Sequence, residues 1–145
     1  MSIRRDAYDR LVENGIKPSM QRLEIMQYLL THFTHPTVEE IYKGLVSKVP
    51  TLSRTTVYNT LRMFSEKNAA QMITIDDHRV CYDGNTDRHA HFYCKCCHRI
   101  IDVFDEVAFP QVQGEIAGNR VDDVQFYFKG VCADCLKGGP DKEAN

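Results

Sequence analysis

The chain reads as an α+β protein of two small domains, an N-terminal winged helix-turn-helix domain followed by a small α/β domain held by four cysteines. Three observations predict this. Apolar residues recur with a 3.6-residue period through four stretches of the first half. Two short β-prone runs, 71–75 and 79–82, follow the fourth stretch and are joined by Asp76-Asp77-His78. The second half carries two C-x-x-C pairs, Cys94/Cys97 and Cys132/Cys135, with His89-Ala90-His91 just ahead of the first.

Tyr8, Leu11 and Val12 give the apolar face of an opening helix that Gly15 ends. Met26, Leu29, Leu30 and Phe33 repeat the period in a second helix. Ser19 caps its start, but Pro18 precedes the cap instead of taking the first helical position, so a slightly shifted or frayed start is expected. Thr37-Val38-Glu39-Glu40 is a capping box, in which the Thr hydroxyl and the Glu carboxylate each satisfy an orphan N–H. Val38, Ile41, Tyr42 and Leu45 line the third helix behind it. Beyond Pro50, Ser53 is an N-cap for a fourth helix with Val57, Leu61 and Phe64 turned inward.

Helices followed by a two-stranded hairpin are the outline of a winged helix, and the fourth helix is then the one that enters a major groove. Its outer face offers Thr55, Asn59 and Arg62, with Arg54 and Tyr58 at the margin. Asn59 suits an adenine edge, Arg54 or Arg62 a guanine or a phosphate, and Tyr58 a thymine methyl. The same residues also describe an ordinary solvated face, and periodicity alone does not choose.

In the second half, 92–94, 99–104 and 124–131 read as three strands, with a helix over about 105–117 that tolerates Pro110 near its first turn. Three strands and one helix leave an apolar surface uncovered, which fits dimerisation through the sheet. The polar segment Gly84-Asn85-Thr86-Asp87-Arg88 separates the halves. The expected division is a DNA-binding domain 1–83, a hinge 84–88 and a metal-binding dimerisation domain 89–145. Charge changes sign near the same place: residues 1–80 hold 11 Lys and Arg against 9 Asp and Glu, net +2, and residues 81–145 hold 7 against 11, net −4. The overall charge of −2 argues against a uniformly basic nucleic-acid binder.

The N-terminal residues lack the apolar run of a signal peptide, and no stretch approaches the ~20 apolar residues that span a bilayer. A cytoplasmic protein without a membrane partner is expected. In that reducing compartment six cysteines are more economically thiolate ligands than disulfides, although a disulfide scaffold stays open. Four thiolates in two knuckles make a tetrahedral zinc cage with Zn–S bonds of about 2.3 Å and no open position, which is a structural site. Such a cage staples the strand near Cys94 to the C-terminal segment, and its loss costs both fold and dimer. Cys96 competes locally with Cys97, whose spacing is the better one. His89 and His91 alternate on a strand, so both imidazoles point to one face and can bind one ion.

The run from His35 to Tyr42, HPTVEEIY, then Ser53 to Leu61, SRTTVYNTL, then the H-x-H and both C-x-x-C pairs resemble the ferric uptake regulator family over nearly the whole chain. The resemblance implies a dimeric, metal-dependent transcription repressor that binds operator DNA and is not an enzyme. It implies structural Zn(II) at Cys94, Cys97, Cys132 and Cys135. It also implies a regulatory Fe(II) or Mn(II) site that adds His35, Asp83 and Asp102 to His89 and His91, a borderline-to-hard donor set. Lys17 and Arg22 are then available to DNA phosphates.

Iron-sensing members usually have glutamate where this chain has Asp102, and often a histidine where it has Val131; both differences resemble the peroxide-responsive branch. That branch releases DNA when bound Fe(II) and H₂O₂ oxidise a ligand histidine, here His35 or His89. One ion tying the two domains biases a hinge so that two recognition helices meet half-sites ~34 Å apart. Such a shift asks for roughly 10⁴-fold preference for one state. An iron- or zinc-responsive repressor is the alternative within the family. A catalytic metal centre or a thiol oxidoreductase is the alternative outside it, although no βαβ pattern surrounds either pair. Cys81 reads as a small buried side chain, Cys96 as a bystander thiol able to oxidise, and His32, His78 and His98 as surface residues. His98 stands where the family usually has glycine.

Overall fold

The computed structural model describes residues 2–76, 78–87, 89–104 and 114–138. The chain divides into two compact units, Met1–Asp87 and Arg88–Asn145.

The first unit holds four helices, α1 (Ile3–Glu13), α2 (Met20–Thr31), α3 (Val38–Leu45) and α4 (Arg54–Glu66), and the strands β1 (Gln71–Ile73) and β2 (Cys81–Asp83). Each helix starts on a hydroxyl: Ser2, Ser19, Thr37 and Ser53 accept from the backbone N–H three residues on. Around Thr37 the box closes reciprocally, with Glu40 accepting from the Thr37 N–H at 3.0 Å. The start of α2 is neither frayed nor displaced, because the Ser19 cap suffices without a proline behind it. Gly15 ends α1 at φ +73°, the left-handed conformation that lets Ile16 N–H reach back to the Leu11 carbonyl at 2.9 Å.

The apolar faces meet in one core, with Leu11, Ile25, Met26, Leu29, Ile41, Val57, Leu61 and Phe64 fully buried. Two expected faces need correction. Tyr8 and Val12 are each 49% exposed, because Ala7 and Leu11 form the inward stripe of α1. Phe33 lies beyond the end of α2 and is 51% exposed. The hairpin is antiparallel with Met72 opposite Tyr82 and Ile73 opposite Cys81. Just after it, Gly84 passes so close to α2 that an added Cβ would sit 2.8 Å from the Leu29 carbonyl oxygen. Arg10 fixes this turn by donating to the Gly84 and Ala69 carbonyls at 2.7 and 3.0 Å. Replacing Ser53 with alanine orphans a donor at the start of α4 and is expected to cost about 1 kcal/mol, read by denaturant melts.

The second unit is built on a three-stranded sheet in the order β4 (Ile100–Val103), β3 (Ala90–Cys94), β7 (Tyr127–Gly130). β3 runs antiparallel to β4 and parallel to β7. A small hairpin, β5 (Glu115–Ile116) with β6 (Asn119–Arg120), and the short helix α5 (Ala133–Lys137) complete the described residues. The helix expected over 105–117 does not extend to its C-terminal end, where Glu115 and Ile116 pair as strand; positions 105–113 lie outside the described residues. Among the described residues no helix is long and apolar enough to cross a membrane.

Candidate metal centres

The Cys94 knuckle closes the turn between β3 and β4, and Cys132 caps α5 with Cys135 in its first turn. The parallel pairing of β3 with β7 places Cys94 beside Gly130, two residues ahead of Cys132, so the sheet register delivers both C-x-x-C pairs to one place. The four sulfurs lie within 4.8 Å of one another, with Cys94 to Cys135 at 3.8 Å and Cys97 to Cys132 at 3.9 Å. Tetrahedral bonds of about 2.3 Å separate neighbouring sulfurs by about 3.8 Å, so the donors fit a zinc-sized ion.

Burial opposes ionisation of Cys94, yet backbone N–H groups of Cys97, Cys132 and Cys96 outweigh it and hold the thiol down at about 6. The Cys132 thiol is lowered by the Cys135 N–H, while burial pushes Cys97 and Cys135 up. His98 closes the knuckle at φ +63°, which explains the glycine usual there. It is exposed, as expected, and its Nδ1 lies 2.8 Å from the Tyr93 hydroxyl.

Two further clusters carry imidazole and carboxylate. In the first unit His35 Nε2 sits 3.4 Å from Asp83 Oδ2, both side chains almost wholly buried. His35 holds a left-handed backbone at φ +58° directly before Pro36, a strained conformation for a non-glycine residue. In the second unit the β3–β4 register sets His91 opposite Asp102. Asp102 Oδ1 lies 3.1 Å from His89 Nε2 and 3.4 Å from His91 Nε2, and the two imidazoles meet edge to face at 4.5 Å. Metal bonds of about 2.1 Å put adjacent octahedral donors about 3.0 Å apart, close to these separations. Phe104, absent from the sequence expectations, stacks on His89 with centroids 5.0 Å apart. The period-2 relation of Asp102 to Phe104 was the available signal.

The ferric uptake regulator family model matches residues 13–128. The chain belongs to the ferric uptake regulator family. Its members are metal-dependent transcription regulators rather than enzymes. This member is 35% identical over 137 residues to the peroxide operon regulator of Bacillus subtilis, an alignment covering 92% of this chain and 93% of that protein. It is 34% identical over 129 residues to the peroxide-responsive repressor PerR of Staphylococcus epidermidis, covering 86% and 85%. Among solved structures, the ferric uptake regulator of Helicobacter pylori superimposes with a TM-score of 0.66 at 22% identity, covering 92% and 91%. PerR of Streptococcus pyogenes does so with 0.51 at 22%, covering 93% and 94%.

On the first unit of this family member, Thr55, Tyr58, Asn59 and Arg62 are all exposed on α4. Arg54 is exposed but engaged: Nε and Nη2 donate to the two Glu39 carboxylate oxygens at 2.6 and 3.0 Å, with the guanidinium 4.3 Å above the Tyr42 ring. Arg22 donates to the Lys17 carbonyl at 2.7 Å, which ties those two residues together. Arg62 forms an exposed pair with Glu66 at 3.8 Å, of little energetic weight. Cys81 is fully buried, and His32 stacks on Tyr28 at 3.8 Å.

Two substitutions separate the backbone role of His35 from its imidazole. His35→Gly relieves the left-handed strain that His35→Ala retains, so the glycine variant is expected to be the more stable of the two by about 1 kcal/mol in thermal melts.

Proposed function

We propose that the chain is a metal-dependent transcriptional repressor that senses hydrogen peroxide, binds operator DNA as a dimer in the cytoplasm, and leaves it when a ligand histidine is oxidised. The observation carrying this reading is Asp102, the shorter carboxylate, facing two buried imidazoles in a chain 35% identical to a peroxide operon regulator. Cys94, Cys97, Cys132 and Cys135 hold structural zinc. His35 and Asp83 from the first unit and His89, His91 and Asp102 from the second are the donors for regulatory Fe(II) or Mn(II).

Fe(II) held by these donors would supply the one-electron chemistry that activates the peroxide O–O bond, while the two electrons of the net reaction would come from a ligand imidazole. His35 or His89 would be the imidazole that takes up the oxygen, one atom entering the ring carbon between the nitrogens and the other leaving as water. An oxygenated ring donates poorly, so metal affinity falls and DNA affinity falls with it. On DNA, Thr55, Tyr58, Asn59 and Arg62 read the major groove, Lys17 and Arg22 meet phosphates, and Arg54 joins when a phosphate displaces Glu39.

The test is electrophoretic mobility shift on operator DNA with Fe(II), Mn(II) and Zn(II) in turn, with and without peroxide, followed by peptide mass spectrometry. Release confined to the iron sample, with one added oxygen on a peptide holding His35 or His89, is expected. Release without histidine oxidation, or a response to iron level alone, turns the reading toward an iron-responsive repressor.

A further inference from the structure

We infer that Cys96 is a peroxide-reactive fifth thiol of the sulfur cage, and that a Cys96–Cys135 disulfide opens the cage as a second oxidation switch, reversible by thiols and independent of the histidines. Of the six cysteines, four form the cage, and the thiol of Cys81 is fully buried and raised by that burial. Cys96 is half-buried and packs against the cluster that Cys94, Cys132 and Cys135 form. Its side chain hydrogen-bonds with Cys135, and its backbone N–H donates to Cys94. A four-coordinate ion takes four thiolates, so the fifth sulfur in the cluster keeps its lone pairs for an oxidant and touches a ligand while doing so.

The chemistry closes on these two residues. The Cys96 sulfur attacks one peroxide oxygen; an S–O bond forms, the O–O bond breaks and the second oxygen leaves as water, giving a sulfenic acid. The Cys135 thiolate then attacks the Cys96 sulfur; an S–S bond forms, the S–O bond breaks and the hydroxide takes a proton to leave as a second water. In total two thiols lose two electrons and hydrogen peroxide gains them. The cage is left with three thiolates and loses its grip on the metal. Exchange with a cellular dithiol restores both thiols.

The test uses full-length protein loaded with zinc alone and kept free of iron and manganese, so histidine oxidation plays no part and its failure leaves the proposed function untouched. After peroxide, zinc release is followed with a chromophoric chelator and unreduced peptides are mapped. The expected result is a Cys96–Cys135 linked peptide appearing with zinc release, both reversed by dithiothreitol. Cys96→Ser and Cys96→Ala should keep one zinc per chain and release it at least ~10-fold more slowly under peroxide. Release at the unsubstituted rate, or a bridge between Cys94 and Cys97 or between Cys132 and Cys135, overturns the inference. So does a zinc content below one per chain in both untreated variants, which makes Cys96 itself a ligand.

Discussion

Taking zinc out of the cysteine cage is expected to unfold the second unit and dissociate the proposed dimer while the first unit stays folded. The two units have very different interiors. The first buries sixteen hydrophobic residues in one cluster, enough to stand without a metal. Among the described residues, the buried cluster around the cage consists of Cys94, Cys132 and Cys135 with half-buried Phe92, Cys96, Ile101 and Val131 packed against it, and the other buried hydrophobic residues of this unit are Ala90, Tyr93 and Ile100. Fully burying one aliphatic or aromatic side chain contributes about 1.5–3 kcal/mol, whereas a structural zinc site supplies about 10–16 kcal/mol of apparent binding free energy. The cage therefore outweighs the apolar contacts around it. Chelation, or Cys135→Ser, should halve the mass seen by light scattering and open the amides of β3, β4 and β7 to fast hydrogen exchange. Helical circular dichroism should persist, since the four helices of eight or more residues among the described residues all belong to the first unit. A metal-free protein with a protected sheet would contradict the assignment.

What the sequence revealed depended on how local the cause is. Ser53 and the Thr37–Glu40 box act within four residues, and both caps stand as read. The C-x-x-C pairs are legible for the same reason, because a knuckle is a local turn whose spacing fixes the donors. A short 3.6-residue period through Tyr8, Leu11 and Val12 does not say which flank of α1 is buried, and Ala7, fully buried beside Leu11, is too small to mark the inward side. Phe33 continued the period of α2 on paper, but that helix ends at Thr31, whose hydroxyl bonds back to the Gln27 carbonyl at 2.8 Å. The β5–β6 hairpin, two residues per strand, is too short for any periodic signal.

Long-range pairings were out of reach of pattern alone. Glu39 clamps Arg54 across fifteen residues, so a side chain that reads as free for DNA is committed within its own domain. The H-x-H motif announced itself, yet its carboxylate entered only through family resemblance. The register that sets His91 against Asp102 is a property of the folded sheet.

That register underlies the other large expected effect. His91→Ala should abolish Mn(II)-dependent operator binding, lowering affinity on the order of 100-fold or more, while one zinc per chain and the dimer remain. His91 is buried at 3.4 Å from Asp102, so its loss removes a proposed nitrogen donor and leaves a cavity that alanine cannot fill. Its sulfur neighbour Cys94 lies three residues further along β3, on the part of the strand that pairs with Gly130, and keeps its own partners. A general collapse of the unit would instead lose zinc and regulatory metal together. Zinc content, dimer mass and mobility shift on the same sample separate these outcomes. Asp102→Glu supplies the complementary measurement: it keeps a carboxylate opposite His91, so Mn(II)-dependent DNA binding should survive, with any change falling on peroxide release from the Fe(II) form. Loss of DNA binding in His91→Ala with Mn(II) affinity unchanged would remove His91 from the ligand set.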